Sequence, residues 1–222
     1  RAVLGLAAPD ARLPVDTAEI DPGQCIHCLT CYRLCPYGAV TKAGRIAVVA
    51  DACAGCGICV AECPRGAIRL GAIPAAGKTA STAAAPVRSG AEPYGVVFCC
   101  ARSADRARTL ATGSAPQAAD GLKVITVPCA GAVAVQDLLA AFAAGAAGVL
   151  VLTCHIDNCH SETGNRHAQR RVEYLADHLE QMGFGGDRLH IATLAANMPT
   201  EYADVTRRFY QNLKDMRTGG DK

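Results

Sequence analysis

The sequence predicts two folded domains of different class, a small cysteine-rich α+β domain followed by an α/β domain with a parallel sheet. Two observations carry this prediction. One cysteine pattern occurs twice near the start of the 222-residue chain, 28 residues apart. From Tyr94 onwards, short apolar runs rich in β-branched residues alternate with helical patterns, which is typical of a parallel sheet covered by helices.

The repeated pattern is C-x2-C-x2-C-x3-C-P, and it ends at Cys35-Pro36 and again at Cys63-Pro64. This is the cysteine run of bacterial ferredoxins, which bind two 4Fe–4S clusters. The fourth cysteine of each run serves the other cluster. The sequence therefore predicts one cluster on Cys25, Cys28, Cys31 and Cys63, and a second on Cys53, Cys56, Cys59 and Cys35.

We expect this ferredoxin-type two-cluster domain to span residues 15–71. Short apolar segments flank each run, and they indicate small hairpins around two short helices. About 55 residues bury too little surface to fold robustly alone, so bound metal is expected to contribute to folding. Residues 1–14 are interpreted as an N-terminal extension or the remnant of a preceding domain, since the chain opens on Arg1.

Composition excludes several classes of function. The net charge is +2, and lysine and arginine form no long run, so nucleic-acid binding is not expected. No apolar run reaches the roughly 18 residues of a membrane-spanning helix. Thirteen cysteines without a secretory signal indicate a reducing compartment, so we expect a cytoplasmic chain with any membrane contact made through a partner.

Residues 72–93 are rich in alanine, glycine, serine, threonine and proline, which predicts a flexible linker. Residues 94–222 form the predicted α/β domain. Strands are expected at Tyr94–Cys100, Leu122–Cys129, Gly148–Cys154 and Arg188–Ala195, and helices at Ala132–Ala144, Thr163–Met182 and from Asn197 to about Met216.

Cysteines end three of the predicted strands, and another lies in the loop after the third. The carboxyl ends of parallel strands share one edge, so these thiols can converge there. The candidates are Cys99 or Cys100, Cys129, Cys154 and Cys159. A 2Fe–2S cluster, a zinc ion or a redox dithiol would each use such a set. A Rieske centre is not favoured, because His155 and His160 each directly follow a cysteine and neighbouring side chains diverge.

Residues TCHIDNCHSETGNRHAQRR, with the preceding strand VLVLTC and the upstream FCC, resemble the iron–sulfur delta subunit of methyl-viologen-reducing hydrogenase. CLTCYRLCP and the second run resemble the ferredoxin region of the A subunit of heterodisulfide reductase. The same pairing occurs in the B subunit of the quinone-interacting membrane-bound oxidoreductase complex.

This resemblance implies a 2Fe–2S cluster in the second domain, giving two 4Fe–4S clusters and one 2Fe–2S cluster in all. It implies electron transfer between a donor, such as a hydrogenase, formate dehydrogenase or quinone-linked protein, and a flavin-containing subunit of the heterodisulfide reductase type. The chain has no Walker loop and no G-x-G-x-x-G, so we expect the flavin in a partner. We also expect no catalytic centre in this chain, since one-electron transfer needs no general acid, base or nucleophile.

The chain departs from the family at one position. The family often has C-C-x-x-C after its first strand, whereas here Ser103 follows Cys99 and Cys100. Consecutive side chains on a strand point to opposite faces, so we expect only one of the two cysteines to bind the cluster. Cys100 is favoured, with Cys99 as its alternative.

Arg166, Arg170 and Arg171 lie at the start of the helix predicted at Thr163–Met182. They form either a solvated face, or a group that offsets thiolate charge or docks an acidic partner. Two alternatives remain for the whole second domain: a thiol–disulfide redox domain that uses Cys154 and Cys159, or a structural zinc module.

Overall fold

The computed structural model describes residues 16–71, 93–111 and 121–219. The predicted N-terminal extension, and the predicted linker apart from Pro93, lie outside these residues. No described helix combines the length and the apolar character that a membrane span requires.

The first domain consists of two small antiparallel pairs of strands and two short helices. In chain order the elements are β1 (Ala18–Ile20), α1 (Thr30–Leu34), β2 (Val40–Thr41), β3 (Ala47–Val48), α2 (Ile58–Ala61) and β4 (Ile68–Leu70). β1 pairs with β4, so the two ends of the domain lie side by side, and β2 pairs with β3. Val60, Ile68 and Leu70 form the apolar centre, and cysteine side chains pack around it.

The second domain is built on a four-stranded parallel sheet. Its elements are β5 (Gly95–Cys100), α3 (Ala104–Ala111), β6 (Leu122–Val127), α4 (Val135–Ala143), β7 (Gly148–Thr153), α5 (Gly164–Gln181), β8 (Leu189–Thr193) and α6 (Pro199–Gly219). The strand order is β6-β5-β7-β8, and every neighbouring pair is parallel. The predicted fold class is therefore confirmed for both parts of the chain.

The order of the strands explains their burial. β5 and β7 lie in the centre of the sheet and are buried along their whole length, which is why their sequences are nearly continuous apolar runs. β6 and β8 form the edges and are only partly buried. Helices α4 and α5 cover one face of the sheet, and α3 and α6 cover the other.

Three details differ from the sequence-based expectations. Helix α3 was not predicted, because its buried residues are alanines and give a weak apolar pattern. The helical pattern of Ala132–Ala144 predicts Val135, Leu138, Leu139 and Phe142 on one apolar face, but Leu139 is 42% exposed, since it lies about 100° around the helix from the fully buried Leu138. The pattern of Thr163–Met182 predicts Met182 on the apolar face of that helix, but Met182 is 69% exposed, because the helix ends at Gln181.

Candidate iron–sulfur centres

The first set of cysteines surrounds a single cavity in the first domain. Three of these residues come from the first run, and Cys63 comes from the end of the second run. The apolar lining of this cavity includes Ile20, Ile46 and Ile68. The cysteines that line it are Cys25, Cys28, Cys31 and Cys63. The structure thus brings together the residues that the crossed arrangement requires.

The second set lies around the matching loop of the second run. Burial raises the pKa of the Cys56 thiol, and the charges of Cys35 and Cys53 add to this rise. Burial likewise raises the pKa of Cys59 to about 12, and the charges of Cys56 and Cys53 add to this rise. These thiols are costly to ionise in isolation, so a bound cation would stabilise their thiolate forms.

Both loops use left-handed backbone at equivalent positions. Gly55 and Gly57 have φ angles of 63° and 78° in the second run, and His27 and Leu29 have φ angles of 56° and 63° in the first. Glycine adopts this conformation without strain, whereas histidine and leucine do not. Gly57 also contacts the second domain, because an added Cβ would lie 2.6 Å from the Cβ of Ala132.

Backbone amides donate to the sulfur atoms at the two crossing positions. The amide of Ala39 lies 3.4 Å from Cys35 Sγ, and the amide of Ala67 lies 3.3 Å from Cys63 Sγ. Each donor is four residues beyond its cysteine, so the two halves of the repeat are equivalent here. Such bonds stabilise negative charge on cluster ligands and tune reduction potentials.

The third set lies at the carboxyl edge of the parallel sheet. Cys100 ends β5, Cys154 directly follows β7, and Cys129 lies two residues beyond β6. The connections from β5 and β7 leave on opposite sides of the sheet, and the crevice between such strands is the usual position of a site in this architecture. Cys159 reaches the same place from the loop after β7.

Hydrogen bonds among these four thiols link them into one cluster. A bond from Cys154 lowers the pKa of Cys100 to about 6, and bonds from Cys129 and Cys154 hold the pKa of Cys159 well below its ordinary value. The pKa values of Cys129 and Cys154 are raised, because these thiols donate the bonds and are buried. The lowered pKa values favour the thiolate forms of Cys100 and Cys159, and the thiolate is the state that binds metal.

Cys99 faces away from this cluster. It is fully buried on the opposite face of the sheet, where it packs with α3 and α6 and where Tyr202 is its hydrogen-bonding neighbour. Cys100 packs on the face of α4 and α5. Ser103, at the position where the resembled family often has another cysteine, is 4% exposed, and its hydroxyl is buried without a hydrogen-bond partner among the described residues.

Small and polar residues shape the cysteine loops. An added Cβ on Gly164 would overlap the sulfur of Cys129, so only glycine fits there. The amide of Gly131 donates to Cys129 Sγ over 3.4 Å. Asn165 is fully buried, and its Nδ2 donates to the carbonyls of Cys154 and His155 at 3.3 and 2.7 Å. Sequence reasoning did not single out Asn165, although it follows Gly164 inside the conspicuous cysteine–histidine block.

The two histidines of that block take other roles. His155 Nδ1 lies 2.9 Å from the hydroxyl of Thr193. His160 is exposed, and its backbone carbonyl accepts a hydrogen bond of 2.9 Å from Tyr37 of the first domain. Across the described ranges, no group of three histidine, cysteine or acidic side chains has the spacing of a site for one metal ion, and this holds for the third cysteine set as well.

The second and third cysteine sets are neighbours across the domain boundary. An added Cβ on Gly131 would lie 2.8 Å from Ile58 Cγ1, so the turn after Cys129 packs against the start of α2. Burial raises the pKa of Tyr37, and the charges of both Cys56 and Cys129 contribute to that rise. Among the described cysteines, the second set therefore lies beside the third in space, and it shares the first domain with the first set.

Comparisons with known proteins agree with this arrangement. Residues 96–217 match the family of the methyl-viologen-reducing hydrogenase delta subunit, and residues 18–70 match the 4Fe–4S dicluster domain. The chain belongs to the hydrogenase delta-subunit family. The resemblance inferred from the sequence is confirmed.

Curated relatives come from two kinds of complex. The A subunit of ferredoxin:CoB-CoM heterodisulfide reductase of Methanosarcina mazei is 30% identical over 90% of this chain, although the chain spans only 25% of that protein's length. The iron-sulfur D subunit of F420-non-reducing hydrogenase of Archaeoglobus profundus is 29% identical over 54% of this chain and 84% of the relative. The vhu iron-sulfur D subunit of Methanocaldococcus jannaschii is 32% identical over 47% of this chain and 78% of the relative.

This delta-subunit chain is therefore an iron–sulfur electron-transfer protein with a 4Fe–4S dicluster domain. The cysteine sets of that domain fit the clusters, because four thiols surround one cavity in the first set and amides donate to sulfur in both. The third set fits a sulfur-ligated metal group in the chemistry of its donors.

Proposed function

We propose that this chain relays single electrons between a donor, such as a hydrogenase, formate dehydrogenase or quinone-linked protein, and a flavin-containing subunit of the heterodisulfide reductase type. Its relatives are the D subunits of F420-non-reducing hydrogenases and the A subunits of heterodisulfide reductases, and the proposal assigns this chain the link between such proteins. When bound, iron–sulfur clusters supply one-electron redox chemistry without proton transfer.

The proposal assigns three groups to the three cysteine sets. Cys25, Cys28, Cys31 and Cys63 hold one 4Fe–4S cluster, and Cys53, Cys56, Cys59 and Cys35 hold another. Cys100, Cys129, Cys154 and Cys159 hold a 2Fe–2S cluster. Cys99 is not assigned as a ligand, because its side chain lies on the other face of the sheet.

The contact between Gly57 and Ala132 is the observation that carries this proposal. It joins the loop of the second cysteine set to the turn after Cys129, with 2.6 Å between an added Cβ on Gly57 and the Cβ of Ala132. Close packing of these loops shortens the path between their redox groups, whereas two independent metal modules need no such contact. Cys28 of the first set is exposed, so the opposite end of the path reaches the protein surface.

The protein's own groups prepare these sites for electron transfer. Amides of Ala39, Ala67 and Gly131 donate to ligand sulfurs and so stabilise added negative charge. Gly164 leaves room for the sulfur of Cys129, and Asn165 holds the backbone carbonyls of Cys154 and His155 by hydrogen bonds. We assign these residues to ligand orientation.

A second candidate function is thiol–disulfide exchange at Cys154 and Cys159. It is favoured by the hydrogen bond between these thiols and by the low pKa of Cys159, which makes that sulfur a nucleophile. In this reaction the two thiols lose two electrons and two protons to an added disulfide oxidant.

Metal and sulfide analysis of the anaerobically purified full chain separates the candidates. The relay predicts about ten irons per chain, whereas the dicluster domain alone accounts for about eight. Eight irons with one zinc would support a structural zinc module instead. Eight irons, no zinc and a reversible Cys154–Cys159 disulfide would support the exchange reaction.

A further inference from the structure

Arg171 is buried at the contact between the two domains. Only 9% of the residue is exposed, although it lies on α5 beside the exposed Arg170. The interpretation of these arginines as a solvated face is wrong for Arg171. Arg166 does lie at the surface, where it pairs with Asp157.

The guanidinium of Arg171 links groups from both domains. Its Nη2 donates to the carbonyl of Gly131 at 2.7 Å, in the turn that follows Cys129. Its Nη1 lies 3.4 Å from Oε1 of Glu62, which directly precedes Cys63 in the first domain. His167, one turn earlier on α5, lies 3.6 Å from the same carboxylate oxygen.

Stability alone is a poor explanation for this arrangement. Arg171 Nε and Nη1 are buried without a hydrogen-bond partner among the described residues. Burying an ion pair whose donors are not all satisfied typically stabilises a protein less than apolar packing of the same volume. Burial lowers the pKa of Arg171, and the opposing charges of Glu62 and Cys129 counteract this effect.

The residues that Arg171 joins belong to the junction between the second and third cysteine sets. Gly131 packs on Ile58, and Ala132 packs on Gly57, so the turn that Arg171 holds is also the turn that contacts the second cysteine loop. The thiolate form of Cys129, which is the form that binds metal, would act on Arg171 as well. A fixed cation here faces negative charge from both domains.

We propose that Arg171 is a positioning residue, which holds the turn after Cys129 against the loop of Gly57 and whose charge favours the reduced state of the group on the third cysteine set. This inference rests on the proposed relay. Adding one electron there increases negative charge beside the guanidinium. The hydrogen bond to the Gly131 carbonyl fixes the distance of the guanidinium from the third cysteine set. The pairing with the Glu62 carboxylate fixes the orientation of the two domains.

Three variants of the loaded full chain test this inference. Arg171→Met removes the positive charge and the N–H donors of the guanidinium but keeps much of the side-chain length. Arg171→Lys keeps the positive charge but loses the planar set of guanidinium donors. Arg170→Met is the matched control, because it removes an exposed arginine one residue away. Paramagnetic resonance during a redox titration measures the midpoint potential of the third-site signal and its magnetic interaction with the reduced cubanes.

We expect Arg171→Met to lower that midpoint potential and to weaken the magnetic interaction, with the iron content unchanged. Arg171→Lys should preserve most of the potential and lose part of the interaction. Arg170→Met should match the wild-type chain. An unchanged potential and interaction in Arg171→Met, or the same change in Arg170→Met, overturns the proposal.

Glu62→Gln covers the case in which Arg171→Met fails to fold or loses iron. It breaks the charge pair between the domains and leaves Arg171 in place. A weakened magnetic interaction supports the proposal, and an unchanged one overturns it. A wild-type chain without any third-site signal overturns the proposed relay together with this inference, whereas a wild-type signal that Arg171→Met does not affect overturns this inference alone.

Discussion

The Cα of Gly164 lies against the sulfur of Cys129, so close that an added Cβ would overlap that sulfur. Gly164 opens helix α5, and Cys129 lies in the turn after β6. Two elements far apart in the chain therefore meet at one thiol. Neither residue can change without moving the third cysteine set.

Gly164→Ala should disrupt this set selectively. The methyl group displaces Cys129 Sγ, and overpacking of this kind typically costs about 1–3 kcal/mol. We expect the iron content to fall from about ten to about eight per chain. The signals of the two cubanes are the internal control, and a Gly164→Ala chain that keeps all its iron would contradict the prediction.

Replacing one cysteine of the third set should remove its metal while a neighbouring buried cysteine is dispensable. Cys154→Ser should lose about two irons per chain, because Cys154 bonds to both Cys100 and Cys159. Cys99→Ala is the control, since Cys99 packs on the other face of the sheet. Iron and acid-labile sulfide measure both outcomes. Equal loss in the two variants would count against the assignment of Cys100.

The crossed ligands of the dicluster domain can be tested at Cys35. Its charge acts on Cys56 and Cys59, so Cys35→Ser should perturb the cluster of Cys53, Cys56 and Cys59. Paramagnetic resonance of the reduced protein distinguishes the two cubanes. A loss confined to the cluster of Cys25, Cys28 and Cys31 would show that the crossed assignment is wrong.

Removing one hydrogen bond between the domains should weaken their docking slightly. Tyr37 donates from its hydroxyl to the carbonyl of His160 over 2.9 Å, and such a bond contributes about 1 kcal/mol net. We expect Tyr37→Phe to increase the hydrogen-exchange rate of amides in the loop around His160. Tyr174→Phe is a suitable control, because Tyr174 is 60% exposed on α5. Unchanged exchange in Tyr37→Phe would exclude a contribution to docking.

Docking should also weaken in acid through Glu62. A hydrogen bond from His167 lowers the pKa of Glu62, and the charge of Arg171 adds to this effect. A carboxyl group with a lowered pKa contributes stability that is present above its unfolded value near 4.5 and is lost as the pH falls through its folded value.

The expected result is a greater loss of amide protection in the turn Ala130–Ala132 in the wild-type chain than in Glu62→Gln as the pH falls below about 4.5. Both proteins are compared at each pH, so that intrinsic exchange cancels. Parallel pH dependence in the two proteins would show that another group is responsible.

The sequence predicted most of the fold because the signals are local. Each apolar run of the second half became a strand, and its ends moved by one or two residues in most cases. The sequence did not predict helix α3, because Ala104, Ala107 and Ala111 contribute little hydrophobicity, although they occupy buried positions. Leu139 was misplaced because neighbouring apolar residues in a helix cannot share the centre of one face.

For the candidate sites, too, the sequence was predictive where the signal is local. The spacing of the eight dicluster cysteines identified their chemistry, since three thiols in a tight loop and one from the other repeat form a recognisable pattern. The sequence also predicted that Cys129 and Cys154 lie at one edge of the sheet, because the carboxyl ends of parallel strands share that edge. The alternation of side chains along β5 limited the choice between Cys99 and Cys100, and packing on the two faces of the sheet separated them.

By itself, the sequence determined the two domain classes, the two cysteine repeats and the edge at which the other thiols gather, because all of these depend on periodicity and spacing. Only the tertiary structure decided what lies between the domains. Three contacts join residues that are far apart in the chain: Gly57 with Ala132, Gly164 with the sulfur of Cys129, and the buried Arg171 with Glu62 and Gly131. No local pattern encodes such contacts, since they depend on how two separately folded surfaces fit together.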